Sequence, residues 1–133
     1  MILADTDVLI DYLAGVQPVQ DQIAGYAGAE QLQTTAVTCF ELLSGVGPGK
    51  RGQAVRRLIE ALNVLPLDRA AAGRAAEVRR KLDRAGRPIG MGDSLIAGIA
   101  LAHDLPLLTR NRSHFQRVEN LRLVDIGGAP PSK

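Results

Sequence analysis

Four side chains could do chemistry together if the fold gathers them: Asp5, Glu41, Asp93 and Asn111. All four offer oxygen donors. No Cys or His pair stands at a zinc-like spacing, and the single Cys39 has no partner for an internal disulfide, so it is read as a small core residue. Carboxylates crowded at one edge repel one another and raise at least one pKa unless a cation lies among them. An oxygen-rich set suits Mg²⁺ or Mn²⁺ better than zinc. Such an ion can lower the pKa of a bound water and neutralise charge on a phosphate being cleaved. The chemistry indicated is metal-assisted phosphodiester hydrolysis. Asp93 also has an ordinary reading, because it stands where an Asp or the neighbouring Ser94 could cap a helix.

The elements that must position these residues follow from periodicity. Ile2 to Ala4 is a short apolar run ending at Asp5, and TDVLIDYLAG then has helical spacing until Gly15 stops it. Pro18 to Ala27 is expected to form a helix burying Ile23 and Tyr26, and Gln31 to Thr35 a strand. A third helix is expected over Ala36 to Gly45, with Val37, Phe40, Leu43 and Leu42 on its apolar face and Glu41 well inside it. The run from Gly45 to Gly52 is a loop without a complete phosphate-binding pattern. Beyond it come a helix over Ala54 to Leu62, a strand over Asn63 to Leu67, and a long helix capped by Asp68 and ended by Gly86. Ala71, Ala75, Val78 and Leu82 form the apolar stripe of that long helix. A helix from about Asp93 to Ala102, a strand over Leu107 to Thr109 and a last strand within Leu121 to Asp125 complete the pattern.

Short apolar strands alternating with amphipathic helices predict an α/β fold with a parallel sheet covered by helices. Ligands of such a sheet bind beyond the carboxyl ends of the strands. Asp5 and Asn111 follow strands directly and so belong at that rim, and Glu41 lies early on a helix leaving a strand.

With 133 residues the chain is long enough for one domain and too short for two, expected over 1–126 with a frayed tail over 127–133. Apolar residues are 46% and aromatics 3%, an ordinary soluble composition. No apolar run approaches the roughly 20 residues a spanning helix needs, and Met1 leads into ILAD without a basic leader. A cytoplasmic protein with no membrane partner is expected. Net charge is only +2, but residues 1–49 hold six acids and no Lys or Arg, whereas residues 50–87 hold eleven Lys or Arg against four acids. That asymmetry suggests a metal site beside a phosphate-binding surface, although a basic helix face is also an ordinary solvated one.

Three blocks carry a resemblance. ILADTDVLIDYL, TAVTCFELLSG and GDSLIAGIALAHDLPLLTRNRSHF resemble, in order and spacing, the motif blocks of PIN-domain proteins, and most nearly VapC-type toxins of bacterial toxin–antitoxin pairs. The resemblance implies a PIN-like three-layer α/β/α sandwich with a central, mainly parallel sheet. It implies a divalent-metal-dependent endoribonuclease toxin that hydrolyses RNA phosphodiester bonds through a metal-activated water. Asp5, Glu41 and Asp93 match the acidic positions that hold Mg²⁺ or Mn²⁺, and Asn111 matches a fourth polar or acidic position. A neutral amide there can coordinate or hydrogen-bond but adds no charge, which argues against a second tightly held metal. The implied partners are RNA, a VapB-like antitoxin whose C-terminal segment lies across the site, and a second copy of the chain. The apolar helices Val8 to Leu13 and Val37 to Leu43 are the expected dimer contributors.

Asp7 is a further acid that could add charge to the pocket or satisfy backbone donors, and Thr6 and Thr109 could orient ligands or water. Arg110, Arg112 and Arg87 are the arginines best placed to meet RNA phosphates. His114 could approach a phosphate, but His-Phe after a strand is read as packing; His103 marks a helix end. Two rivals stand beside the ribonuclease reading: a metal-dependent hydrolase of another phosphate ester, and a non-catalytic RNA- or protein-binding module of the same fold.

Overall fold

Alternate residues of a strand face opposite sides of a sheet, and the two halves of this core obey that rule. A computed structural model describes residues 1–128. On one face Ile2, Ala4 and Leu108 pack with Val8, Leu9, Ile23, Tyr26, Leu42 and Val55. On the other, Leu3 and Leu107 pack with Ala71, Val78, Leu82, Ile96, Ile99 and Phe115.

The chain runs β1 (Ile2–Ala4), α1 (Thr6–Ala14), α2 (Val19–Gly28), β2 (Leu32–Thr35), α3 (Ala36–Ser44), α4 (Lys50–Ala61), β3 (Asn63–Leu65), α5 (Arg69–Arg84), α6 (Met91–Ala102), β4 (Leu107–Leu108), α7 (Arg112–Phe115) and β5 (Leu123–Val124). The sheet order is β3-β2-β1-β4-β5, and every pairing is parallel. Helices lie on both faces, giving the expected three layers. The first two crossovers move to one side of β1 and the later ones to the other, so the order reverses between β1 and β4. In the register between them Ala4 stands opposite Leu108. The residues that follow, Asp5 and Thr109, therefore leave the sheet side by side at the crevice where such folds bind ligands.

The local signals that fix the elements are visible in the side chains. Gly15 ends α1 at φ +74° and Gly86 follows α5 at φ +69°, conformations glycine adopts without strain. The Asp68 side chain accepts the Ala71 N–H at 2.9 Å and so caps α5, whose expected stripe is buried. Helices α5 and α6 touch backbone to backbone. A Cβ at Gly98 would lie 2.6 Å from Ala71 O and from Ala75 N.

Four expectations are corrected. Helix α3 turns Thr38 and Leu42 inward and leaves Phe40 70% and Leu43 43% exposed. The reason is a hydroxyl network: Thr35 Oγ1 accepts the Thr38 N–H at 3.0 Å and Thr6 Oγ1 lies 3.1 Å from Thr38 Oγ1. A buried Thr whose hydrogen bonds are satisfied fixes the rotation of the helix. Helix α4 starts at Lys50, not Ala54, because Gly52 lacks the side chain that would collide with the Gly47 carbonyl. Helix α6 starts at Met91 with Gly90 as its N-cap, so Asp93 lies inside its first turn and does not cap it. The short helix α7 was not expected at all. In the tail, the Gly127 N–H is bonded to Gln22 Oε1 at 2.8 Å, and residues 129–133 lie outside the described residues. No described helix is long and apolar enough to cross a membrane.

Candidate functional site

Asp5 is the N-cap of α1 and only 5% exposed. Its Oδ1 accepts the Thr6 N–H at 2.8 Å, and its Oδ2 accepts the Thr109 hydroxyl at 2.7 Å. Burial, and then the neighbouring Asp7 carboxylate with a smaller push from Asp93, drive its pKa up to about 7; the two hydrogen bonds oppose that rise only in part. A carboxyl in this state is reluctant to be an anion until something positive joins it.

Glu41 reaches the same place from α3. Its Oε1 accepts the Thr6 hydroxyl at 2.6 Å, and a Cβ built at Gly92 would stand 3.2 Å from its Oε2. The absence of a side chain at Gly92 lets Glu41 lie against the first turn of α6. Asp93 is in that turn, where the helix dipole favours a negative charge. Its Oδ2 accepts Asn111 Nδ2–H at 3.0 Å and stands 3.3 Å from His114 Nδ1, while Asn111 Nδ2 is also 2.9 Å from His114 Nδ1. Asn111 is tied back as well, its N–H bonded to Thr109 Oγ1 at 3.0 Å. A continuous path thus runs Asp5, Thr109, Asn111, Asp93.

His114 is the residue that the packing reading misplaced. Phe115 alone is buried in the core, and the His114 ring turns to Asp93. The available signal was the spacing of Asn111 and His114, which places both on one side of a single helical turn. Thr6 and Thr109, by contrast, donate their hydroxyls to Glu41 and Asp5. Cys39 is half-buried on α3, and burial raises its pKa.

Asp7 lies beside Asp5 with its pKa raised, chiefly by burial. Its Oδ2 accepts the Arg110 N–H at 3.1 Å, and its Oδ1 is buried without a hydrogen-bond partner. Arg110 turns its guanidinium to Asp11, with Nε 2.6 Å from Oδ2 and Nη2 3.3 Å from Oδ1. Arg112 is spent on β5, donating to Val124 O at 3.0 Å and lying 3.5 Å from Asp125 Oδ1. Arg87 is exposed in the α5–α6 connection.

These residues fit a hard divalent cation by their donor chemistry. The acidic side chains supply oxygens only, one buried carboxyl oxygen of Asp7 is orphaned, and burial together with the adjacent Asp7 carboxylate raises the Asp5 pKa to about 7. Among the described residues no three His, Cys, Asp or Glu side chains are drawn tightly enough to clasp an ion as they stand. Thr6, Thr109 and Asn111 link the acids instead.

Comparison with known proteins gives the lineage of this arrangement. The family model described as PIN domain matches residues 2–121. Ribonuclease VapC10 of Mycobacterium tuberculosis is 37% identical over 122 residues, covering 92% of this chain and 91% of that protein. A tRNA(fMet)-specific endonuclease VapC of Shigella flexneri is 35% identical over 95 residues, covering 68% of this chain and 72% of the relative. Among solved structures, DNA-bound VapBC from Salmonella typhimurium superposes with a TM-score of 0.81 at 25% identity, covering 94% of this chain and 98% of that one. With a parallel sheet whose order reverses at Asp5 and a family match over nearly its full length, the chain belongs to the PIN domain family.

Proposed function

We propose that this chain is a divalent-metal-dependent endoribonuclease and the toxin of a toxin–antitoxin pair. The observation that carries the reading is the linked set at the sheet crevice, in which Asp5 and Asp93 are joined through Thr109 and Asn111 while Thr6 orients Glu41. Asp5, Glu41 and Asp93 would hold Mg²⁺ or Mn²⁺, with Asn111 as a neutral fourth member. A bound ion of this class supplies neutralisation of phosphate charge and a more acidic water. The protein's own part is positioning: hydroxyls fix the carboxylate rotamers in advance, and the first turn of α6 sets Asp93 beside them. Asp5 must release its proton for the site to accept a cation, so loading is favoured by rising pH.

The partner reading follows from the surface next to Glu41. A groove of about 470 Å³ runs from Glu41 along Ile10, Leu13, Leu42, Val46 and Val55 to Lys50. Its apolar walls suit a segment of a VapB-like antitoxin laid across the site. Exposed Phe40 and Leu43 leave α3 with apolar surface for a second copy of the chain. Action on cellular RNA assigns the protein to the cytoplasm.

The test is cleavage of RNA by purified protein with Mg²⁺ or Mn²⁺, compared with DNA and a small phosphate ester at equal metal concentration. Asp93→Asn should lower RNA cleavage by roughly 10²-fold or more, because a charge aimed at the reacting phosphate's counterion is lost. Undiminished cleavage by that variant sinks the assignment.

A further inference from the structure

The turn between β4 and α7 delivers Thr109 and Asn111 to the site, yet it is short and lies at a rim, where backbone usually wanders. Something must hold it. Asp7 and Asp11 are four residues apart on α1, so they share one face of that helix. Both are turned to Arg110. Asp7 Oδ2 accepts the Arg110 N–H at 3.1 Å, Asp11 Oδ1 accepts the guanidinium Nη2–H at 3.3 Å, and Nε lies 2.6 Å from Asp11 Oδ2 as an ion-pair contact without a hydrogen bond. Asp11 is only 8% exposed, so Arg110 is the cation that faces it at this edge of α1. The residues on either side of Arg110 are the ones the site uses: Thr109 donates to Asp5, and Asn111 donates to Asp93.

We propose that Arg110, clamped by Asp11, is a positioning residue that locks the β4–α7 turn against α1 and so sets Thr109 and Asn111 in place for catalysis; the proposal rests on the ribonuclease reading. It replaces the expectation that Arg110 meets RNA, because the guanidinium is already paired with Asp11, donating from Nη2 to Oδ1. Helix α1 then has two tasks. Its first residue boundary presents Asp5, and its next turns hold the loop that completes the site.

A clamp and an RNA contact separate kinetically. Arg110→Met and Asp11→Asn should each lower kcat by roughly tenfold to hundredfold with KM within about twofold, since misplacement of reacting groups acts on turnover. The double variant should be no slower than either single, because both remove one device. Arg110→Lys keeps the charge but loses the planar guanidinium that reaches Asp11 Oδ1 through Nη2, so a clamp predicts lowered kcat there too. A raised KM with unchanged kcat in Arg110→Met, together with wild-type behaviour of Asp11→Asn, overturns the proposal. Amide exchange gives a readout independent of cleavage: the Arg110 and Asn111 N–H groups should exchange at least about tenfold faster in both single variants. Unchanged exchange overturns the clamp. Wild-type protein that cleaves no RNA overturns the ribonuclease reading alone, and the exchange data then decide the clamp.

Discussion

Asp5→Asn is expected to lose RNA cleavage by on the order of 10³-fold and, with metal withheld, to melt at a higher temperature than wild type above about pH 7. The two effects have one cause. The Asp5 carboxyl is buried beside Asp7 and Asp93, which lifts its pKa from 3.8 to about 7 in the folded chain. Between those values the folded state holds a proton that the unfolded state has released. Metal-free stability therefore falls as pH rises from about 4 to about 7 and levels off above, a loss on the order of 4 kcal/mol at most for this group. Asn cannot titrate, and its amide can still serve both neighbours, accepting from Thr6 and donating to Thr109 while Thr109 turns its hydroxyl to Asp7, 3.4 Å away. The variant should thus lose the Asp5 share of the slope, keep the smaller share of Asp7, and melt up to roughly 14 °C higher above pH 7. Added Mg²⁺ should flatten the wild-type curve and leave the variant's unchanged. Melting curves that run parallel from pH 4 to 8 would refute the account of Asp5, and retained cleavage would refute its place in the site.

Gly98→Leu is expected to prevent folding, and Gly98→Ala to cost about 3 kcal/mol. At Gly98 a Cβ would meet Ala71 O, Ala75 N and Ala75 Cβ, each at 2.6 Å. Two of the three are backbone atoms of α5, which no rotamer change can move, so the helices must separate. The intrinsic helix preference for Ala over Gly, about 1 kcal/mol, has the wrong sign to explain such a loss. Gly73→Ala is the control, because a Cβ there meets nothing within 4 Å. It should stabilise by up to about 1 kcal/mol through the same preference. Urea midpoints check both, and a Gly98→Ala midpoint at or above wild type would show that α5 and α6 can part without cost. Helix α6 carries Asp93, so the loss extends to the site.

The residues that were legible in the sequence are those whose signal is local. Asp68 before an apolar stripe, Gly15 and Gly86 after one, and strands ending at Asp5 and near Asn111 all act within a few residues of themselves. What escaped depends on distant partners. The rotation of α3 is decided by Thr6 and Thr35 reaching Thr38, and a reading of hydrophobic spacing alone favours Phe40 and Leu43. The early start of α4 depends on the Gly47 carbonyl meeting Gly52. His114 joins Asp93 across 21 residues, and Arg110 joins Asp11 across 99. The acids could be singled out from their types, the topology and the resemblance of three motif blocks to PIN-domain proteins. The threonines, the amide and the histidine that lie against those acids are set by tertiary geometry, which no local period encodes.

The hold of Arg112 on Val124 has a consequence for how other chains can approach. Strand β5 is an outer strand of two residues, and its Val124 carbonyl is taken by the Arg112 guanidinium at 3.0 Å. An outer strand with open backbone groups is a template on which a foreign strand can pair, in recruitment or in aggregation. Here that border is brief and partly sealed by a charged side chain. A molecule approaching from the β5 side therefore meets few open backbone groups and has to rely more on side chains than on strand pairing.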